Sequence, residues 1–370
     1  MKIKTFACFA LAVGTGILYA DSATPKKVWP EKLRGFNTGG PKAELATDTA
    51  FKRMKGWNVN VVRLNFGQDR AKDRKQYKNK KLPQVPPEMK PYRIHLSRLD
   101  KIMQLCKKYD INLILSVSAV VGRDKKNVAQ EGNDVYTNTG SFEKNLTDLW
   151  TYLVKKYKNN PRLIGYDLLN EPHTKDEMKN WRPRILPDLI KAIRKIDKET
   201  TLVVMPGPWG LPSGFNNFTP VNDKNVVYSF HFYAPHNYTH QGVGKNRRDG
   251  SGIYPGKLKM FNSSPEIMWN KNTLRENMMP AIKFAKKHKV RMFVGEFSVI
   301  RWAKGGGPQW VEDAISLFDE NNFDWAYHSY TSWNGWNPTF GPDAKSSNEP
   351  DGGQNTPILQ VLKKNFAKNK

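Results

Sequence analysis

Apolar positions along the chain follow two alternating rhythms. Short runs rich in β-branched and aliphatic residues at 33–37, 58–66, 111–117, 163–172, 201–205, 225–233, 290–297 and 323–330 predict strands. Stripes at helical spacing fall between them: Leu96, Leu99, Ile102, Met103 and Cys106; Phe142, Leu146, Leu149, Leu153 and Tyr157; Leu189, Ile193 and Ile196; Leu274, Met278, Ile282 and Ala285; Val311, Ile315 and Phe318. A shorter helix is predicted from Asp48 to Gly56 behind a Thr47/Asp48 cap, and a last one from Ile358 to Phe366. Strand and helix alternate about eight times, which predicts a single (β/α)8 TIM barrel.

Loop lengths support the same architecture. Connections after helices are minimal, as at Lys108–Asp110, His288–Lys289 and Glu320–Asn322. Connections after strands are long: Gly67–Arg93, which is polar and proline-bearing and reads as loop, Pro206–Lys224, Ala234–Lys271 and Thr331–Gln354. Barrel enzymes build their sites from the loops that follow strands. Those loops carry Trp209, Phe215, Tyr238, Tyr254, Trp269, Trp333 and Trp336, and flat aromatic faces gathered at one end of a barrel suit sugar rings.

Composition narrows the setting. The first residues, Met-Lys-Ile-Lys, lead into an apolar run from Phe6 to Leu18 and then Tyr19-Ala20-Asp21, the pattern of a secretory signal peptide cut near Ala20. The expectation is a leader over residues 1–20 and a catalytic barrel over 21–370, secreted or periplasmic, with no integral membrane segment after cleavage. Of the 2 cysteines, Cys8 lies in the leader, so only Cys106 remains and no intramolecular disulfide is expected. Cys106 reads as a small buried residue on a helix face. The formal charge of +26, from 60 Lys and Arg against 34 Asp and Glu, is spread along helices and loops without a nucleic-acid-binding module. It reads as a basic surface, with no nucleic-acid partner expected and attraction to an anionic surface left open.

The candidate chemistry lies at two strand ends. Leu163–Pro172 runs apolar until it reaches Asn170 and Glu171, and Arg291–Phe297 runs apolar up to Glu296. If both strands belong to one parallel barrel, the two carboxyl groups face each other. A glycosidic bond is broken by such a pair, one protonated to help the leaving oxygen and one ionised. Three of the 7 histidines fall between 231 and 240, at a spacing that matches no standard metal motif, so neither a metal nor a cofactor is expected.

With Arg34-Gly-Phe-Asn37, Arg63, Asn170-Glu171-Pro172, His231-Phe-Tyr233 and Gly295-Glu296-Phe297 in this order, the chain resembles glycoside hydrolase family five, the cellulase-like retaining glycosidases, over nearly all its length beyond the leader. The resemblance implies Glu171 as general acid/base and Glu296 as nucleophile. Arg63 would hold Glu296 ionised, Tyr233 would orient it, and Asn170 would donate to a sugar 2-hydroxyl. His231 would contact Glu171 or the sugar. Two positions depart from the family pattern. Ser118 stands where the family usually has a histidine after strand three. At the end of strand eight, where the family has a tryptophan flooring the cleavage site, strict register places His328, with Trp333 a few residues on as the favoured floor and Trp209 and Trp336 as further sugar-binding candidates.

The function these residues imply is a secreted, monomeric endo-acting β-1,4-glucanase that retains configuration and takes a polysaccharide or oligosaccharide substrate. Alternatives keep the chemistry on mannan, xyloglucan or β-1,3-glucan, or act from a chain end. A third class is a non-catalytic carbohydrate-binding or adhesion protein anchored by its charge.

Overall fold

The computed structural model describes residues 27–39, 47–69, 71–120, 141–173, 180–243, 252–343 and 355–369. The expected leader lies outside the described residues, as do Arg70, Gly122 and parts of the loops at 244–251 and 344–354.

Eight strands close a parallel barrel: β1 (Arg34–Gly39), β2 (Val61–Gly67), β3 (Asn112–Ala119), β4 (Leu163–Asp167), β5 (Thr201–Val204), β6 (Val226–Phe232), β9 (Met292–Phe297) and β10 (Asp324–Tyr327), with β10 pairing back to β1. Two further strands, β7 (Gly256–Lys259) and β8 (Glu266–Trp269), form an antiparallel hairpin within the loop that follows β6. Helices α1 (Asp48–Gly56), α2 (Ala71–Gln76), α3 (Arg93–Tyr109), α4 (Ser141–Tyr157), α5 (Leu186–Arg194), α6 (His236–Thr239), α7 (Lys271–His288), α8 (Gly307–Glu320) and α9 (Pro357–Phe366) complete the chain order.

The interior of the barrel is layered. Leu33, Val61, Ile114, Ile164, Val203, Val227, Phe293 and Ala326, one from each strand or its first flank, form an apolar plug. Trp29 covers it, with its indole N–H donating 2.9 Å to Asp324 and its ring edge-on to Phe293. The larger core lies between strands and helices, where the predicted stripes of α3, α4, α5, α7 and α8 are buried, Cys106 among them. Closure of the barrel depends on Gly35. A Cβ there would stand 1.7 Å from the Val61 carbonyl oxygen, so no other residue lets β1 and β2 approach this closely.

Short turns after helices use single left-handed residues. Asp110 (φ 55°) and Lys289 (φ 52°) each end a helix by donating their N–H to a carbonyl of the last turn, and Asn322 (φ 55°) follows α8. The long loops are less irregular than expected. Gly67–Arg93 holds α2 and a 3-10 turn at Pro87–Tyr92, and both Asp69 oxygens accept from the first N–H groups of α3 at 3.0 and 3.1 Å. Polar and proline-rich composition hid these short helices because they are pinned by Asp69 and by the buried Asp73–Arg98 pair rather than by an apolar stripe.

Among the described residues no helix is long and apolar enough to cross a membrane.

Candidate active site

Arg63 was expected at the end of its strand; it stands third in β2, whose ladder continues to Gly67. It faces inward above the apolar plug and is fully buried. Its guanidinium donates to Asp167 (2.7 Å), Asn37 (2.9 Å), Asn65 (3.2 Å), Ser116 (3.0 Å), Asn170 (2.8 Å) and Glu296 (2.9 Å). One side chain thus ties β1, β2, β3, β4 and β9 together at one height in the barrel. Burial by itself would lower the Arg63 pKa, but the Asp167 and Glu296 charges outweigh it and raise it further.

β4 is shorter than the apolar run suggested, ending at Asp167, but the extended chain goes on. Leu168 donates 3.1 Å to the Val203 carbonyl and Asn170 donates 2.8 Å to the Val117 carbonyl, so the next residues remain anchored to both neighbouring strands. Glu171 then takes a left-handed conformation, φ 47°, which an L-residue adopts at a cost of about 1–2 kcal/mol. The turn sends the Glu171 side chain into the cleft, where it is 31% exposed and one carboxylate oxygen lies 2.8 Å from His231 Nδ1.

Glu296 is 6% exposed, one residue before the end of β9. Its Oε1 accepts from Arg63, while Oε2 accepts from the Tyr233 hydroxyl at 3.0 Å and faces His231 Nδ1 at 3.7 Å and His328 Nδ1 at 3.5 Å. Burial alone would raise this carboxyl. The His231, His328 and Arg63 charges, with the Tyr233 bond, instead hold it well below the usual carboxylate range. Burial and the two glutamate charges push the Tyr233 hydroxyl well above its ordinary value, so it remains a donor. Gly295 makes room for this arrangement: a Cβ would come 2.9 Å from Ser229 Oγ and 3.1 Å from His231 Nε2, and its carbonyl accepts from Asn37 at 2.5 Å.

All six candidates named for chemistry, Arg63, Asn170, Glu171, His231, Tyr233 and Glu296, therefore converge. Asp167, Asn37 and Asn65 were missed. Asp167 is fully buried as the second counter-ion of Arg63, and its one signal was a carboxylate inside the apolar run Leu163–Leu169.

The aromatic expectations need correction. Phe215, Tyr238, Tyr254 and Trp269 are all buried, packing inside their own loops or against α7 and α8 rather than facing a cleft. Trp336 is 7% exposed, held against Tyr233, His240 and Trp333, and offers little surface to a ligand. Trp333 is 37% exposed but packs on Trp302 and Trp336; the ring beside Glu296 is that of His328, so strict register, not the favoured Trp333, describes this position. Trp209, 50% exposed, stacks on His173 at 3.7 Å. Ser118 Oγ donates to the Phe66 carbonyl at 3.1 Å. A cavity of about 470 Å³ opens beside Glu171, lined in part by Trp209, His231, Tyr233, His236 and Phe261, the last from the turn of the β7–β8 hairpin.

Glu171, His231 and Glu296 each offer one possible ligand atom, all within 4.8 Å of one another. Both Glu296 oxygens already accept hydrogen bonds, and a metal ion would be repelled by the guanidinium on Oε1. The set suits proton handling and nucleophilic attack better than metal binding.

The family described as Cellulase (glycosyl hydrolase family 5) matches residues 21–337. Endoglucanase C of Acetivibrio thermocellus is 31% identical over 257 residues, covering 64% of this chain and 72% of the relative. Cellulase CelDZ1 of a Thermoanaerobacterium species is 22% identical over 344 residues, covering 90% and 73%. Among solved structures, Thermotoga maritima Cel5A with cellobiose superposes with a TM-score of 0.65 at 20% identity, covering 89% of this chain and 97% of that one. The same protein with mannotriose gives a TM-score of 0.66 at 19% identity, covering 89% and 97%. The chain belongs to glycosyl hydrolase family 5 and is a cellulase-type glycoside hydrolase on a (β/α)8 barrel.

Proposed function

We propose that this glycoside hydrolase cleaves β-1,4-glucan internally, with retention of configuration, and that residues 21–370 act as an exported monomeric catalytic domain released by cleavage near Ala20. The observation that carries the mechanism is the approach of the two carboxyl groups. Glu171 and Glu296 present oxygens within 4.8 Å of each other. Retaining enzymes hold their carboxyl groups about 5–5.5 Å apart, and inverting enzymes need about 6.5–9.5 Å to admit a water.

In this reading Glu296, kept ionised by Arg63 and oriented by Tyr233, attacks the anomeric carbon. Glu171 delivers its proton to the glycosidic oxygen as that bond breaks, and the leaving sugar chain departs along the cavity beside Trp209 and Phe261. Glu171 then takes a proton from water, which attacks the same carbon and frees Glu296. Asn170, whose side-chain oxygen accepts from Arg63, donates from its amide to the sugar 2-hydroxyl, a contact that strengthens as charge develops on the ring. Asp167 keeps Arg63 in place from the other side, so that the guanidinium does not collapse wholly onto Glu296.

Endo action on glucan is supported by relatives described as endoglucanases, and export by the apolar run Phe6–Leu18 ahead of Ala20. The test is a panel of soluble β-glucans, mannan and xyloglucan, with product lengths followed over time. Rapid loss of viscosity on β-1,4-glucan with a spread of oligosaccharides is expected. Preference for mannan, or release of one short product from chain ends, would replace this substrate reading, and binding without new reducing ends would replace catalysis altogether.

A further inference from the structure

His328 stands against Glu296 and takes no part in the mechanism above. Its backbone N–H is tied to the Phe297 carbonyl at 3.0 Å, its side chain is 20% exposed, and its ring lies 6.3 Å from that of Trp336. Its Nδ1 is a buried nitrogen with no hydrogen-bond partner among the described residues, and it lies 3.5 Å from Glu296 Oε2. That distance exceeds the usual 2.7–2.9 Å or so of a charge-assisted bond. A neutral imidazole carrying its proton on Nε2 explains the gap, because the Nδ1 lone pair then faces a carboxylate oxygen and the two repel. A tryptophan at this place, as in the family pattern, could do neither this nor its opposite.

We propose that His328 is a positioning residue for Glu296: neutral, it leaves Oε2, oriented by Tyr233, able to attack the sugar; protonated on Nδ1, it pairs with Oε2 and withdraws the nucleophile from reaction. The proposal rests on Glu296 being the nucleophile. The proton comes from solvent and remains on Nδ1, with no other bond made or broken. Glu296 is the group that favours protonation most. The charged and titratable groups facing the ring from the other elements are His231 on β6, Arg63 on β2 and Glu171 after β4. Burial keeps this imidazole below its ordinary value, Glu296 and Glu171 act the other way, and His231 and Arg63 add to the lowering. The neutral, permissive form therefore holds near neutral pH, and the paired form gathers in acid. Because Glu296 itself is held ionised well into acid, the first group to switch off attack as pH falls is the histidine, not the nucleophile.

The experiment is an NMR titration of the full chain labelled in its histidines, with the His328 resonance assigned from His328→Gln, in wild type and in Glu296→Gln. Neutralising residue 296 is expected to lower proton affinity at His328 at least 10-fold. An unchanged titration overturns the proposal, and this readout does not depend on catalysis. In parallel, the acid limb of kcat/KM is expected to move at least one pH unit lower in His328→Gln and in His328→Trp, and an unmoved limb in both also overturns it. Should Glu296→Gln still hydrolyse glucan, the nucleophile reading fails while the coupling measured by NMR still stands.

Discussion

Replacing Arg63 with methionine tests how the site is held together. The guanidinium is fully buried and reaches six partners, two of them carboxylates. Methionine fills similar volume but leaves Asp167 and Glu296 as buried like charges. Breaking a buried ion pair by removing one partner costs about 3–5 kcal/mol. At about 2 °C per kcal/mol for a large domain, that is a fall of roughly 6–10 °C in Tm.

The pH dependence of this loss gives a second, independent check. In wild type the Glu296 carboxyl is depressed, so its contribution to stability is present above the unfolded value of about 4.3 and is lost as pH falls through the folded one. Without Arg63, one of the charges that oppose burial is lost, so that carboxyl rises toward its ordinary value. Its contribution to stability at neutral pH is then smaller, and the difference from wild type fades on acidification. The gap in unfolding free energy between the two proteins is therefore widest near pH ~7 and narrows toward pH ~4, measured by denaturant unfolding across that range. Activity should fall about 100- to 1,000-fold, the scale for losing a preorganised charge in an active site. A gap under about 1 kcal/mol, constant with pH, would show that the guanidinium does not govern the ionisation of Glu296.

Two further outcomes follow from the geometry. Glu171→Gln keeps the His231 contact but removes the proton donor, so hydrolysis of glucan should fall at least about 100-fold, while an aryl glycoside with a good leaving group loses far less at the first step; equal losses would deny it the role of acid. Gly35→Ala drives a methyl group into the Val61 carbonyl and should cost above about 3 kcal/mol or prevent folding, whereas Gly56→Ala, with nothing within 4 Å of the new Cβ, should leave Tm nearly unchanged.

The alternation of strands and helices was readable because most barrel strands are short apolar runs and the long helices each have one apolar stripe, and the structure closes the barrel in that order. Glu171 and Glu296 were readable because each interrupts such a strand at its end. Direction within a loop was not. Tyr254 and Trp269 looked like sugar platforms by residue type, yet Tyr254 turns inward to donate to Asp313 and Trp269 is buried in the β7–β8 hairpin, a small fold whose few alternating residues escape any periodicity. Asp167 escaped for a related reason. One carboxylate in an apolar run does not reveal that an arginine 104 positions earlier shares its layer. His328 was legible by register beside the favoured Trp333, because the expectation of an aromatic floor competed with the simpler count along β10.

The central claim is that Glu171 and Glu296 work as a retaining pair. Proton NMR of the first-formed anomer during hydrolysis of a soluble cello-oligosaccharide tests it most directly. A β-configured reducing end, appearing first and mutarotating afterwards to the equilibrium mixture, is the predicted result. An α-configured first product would mean inversion and would contradict the assignment of Glu296 as nucleophile.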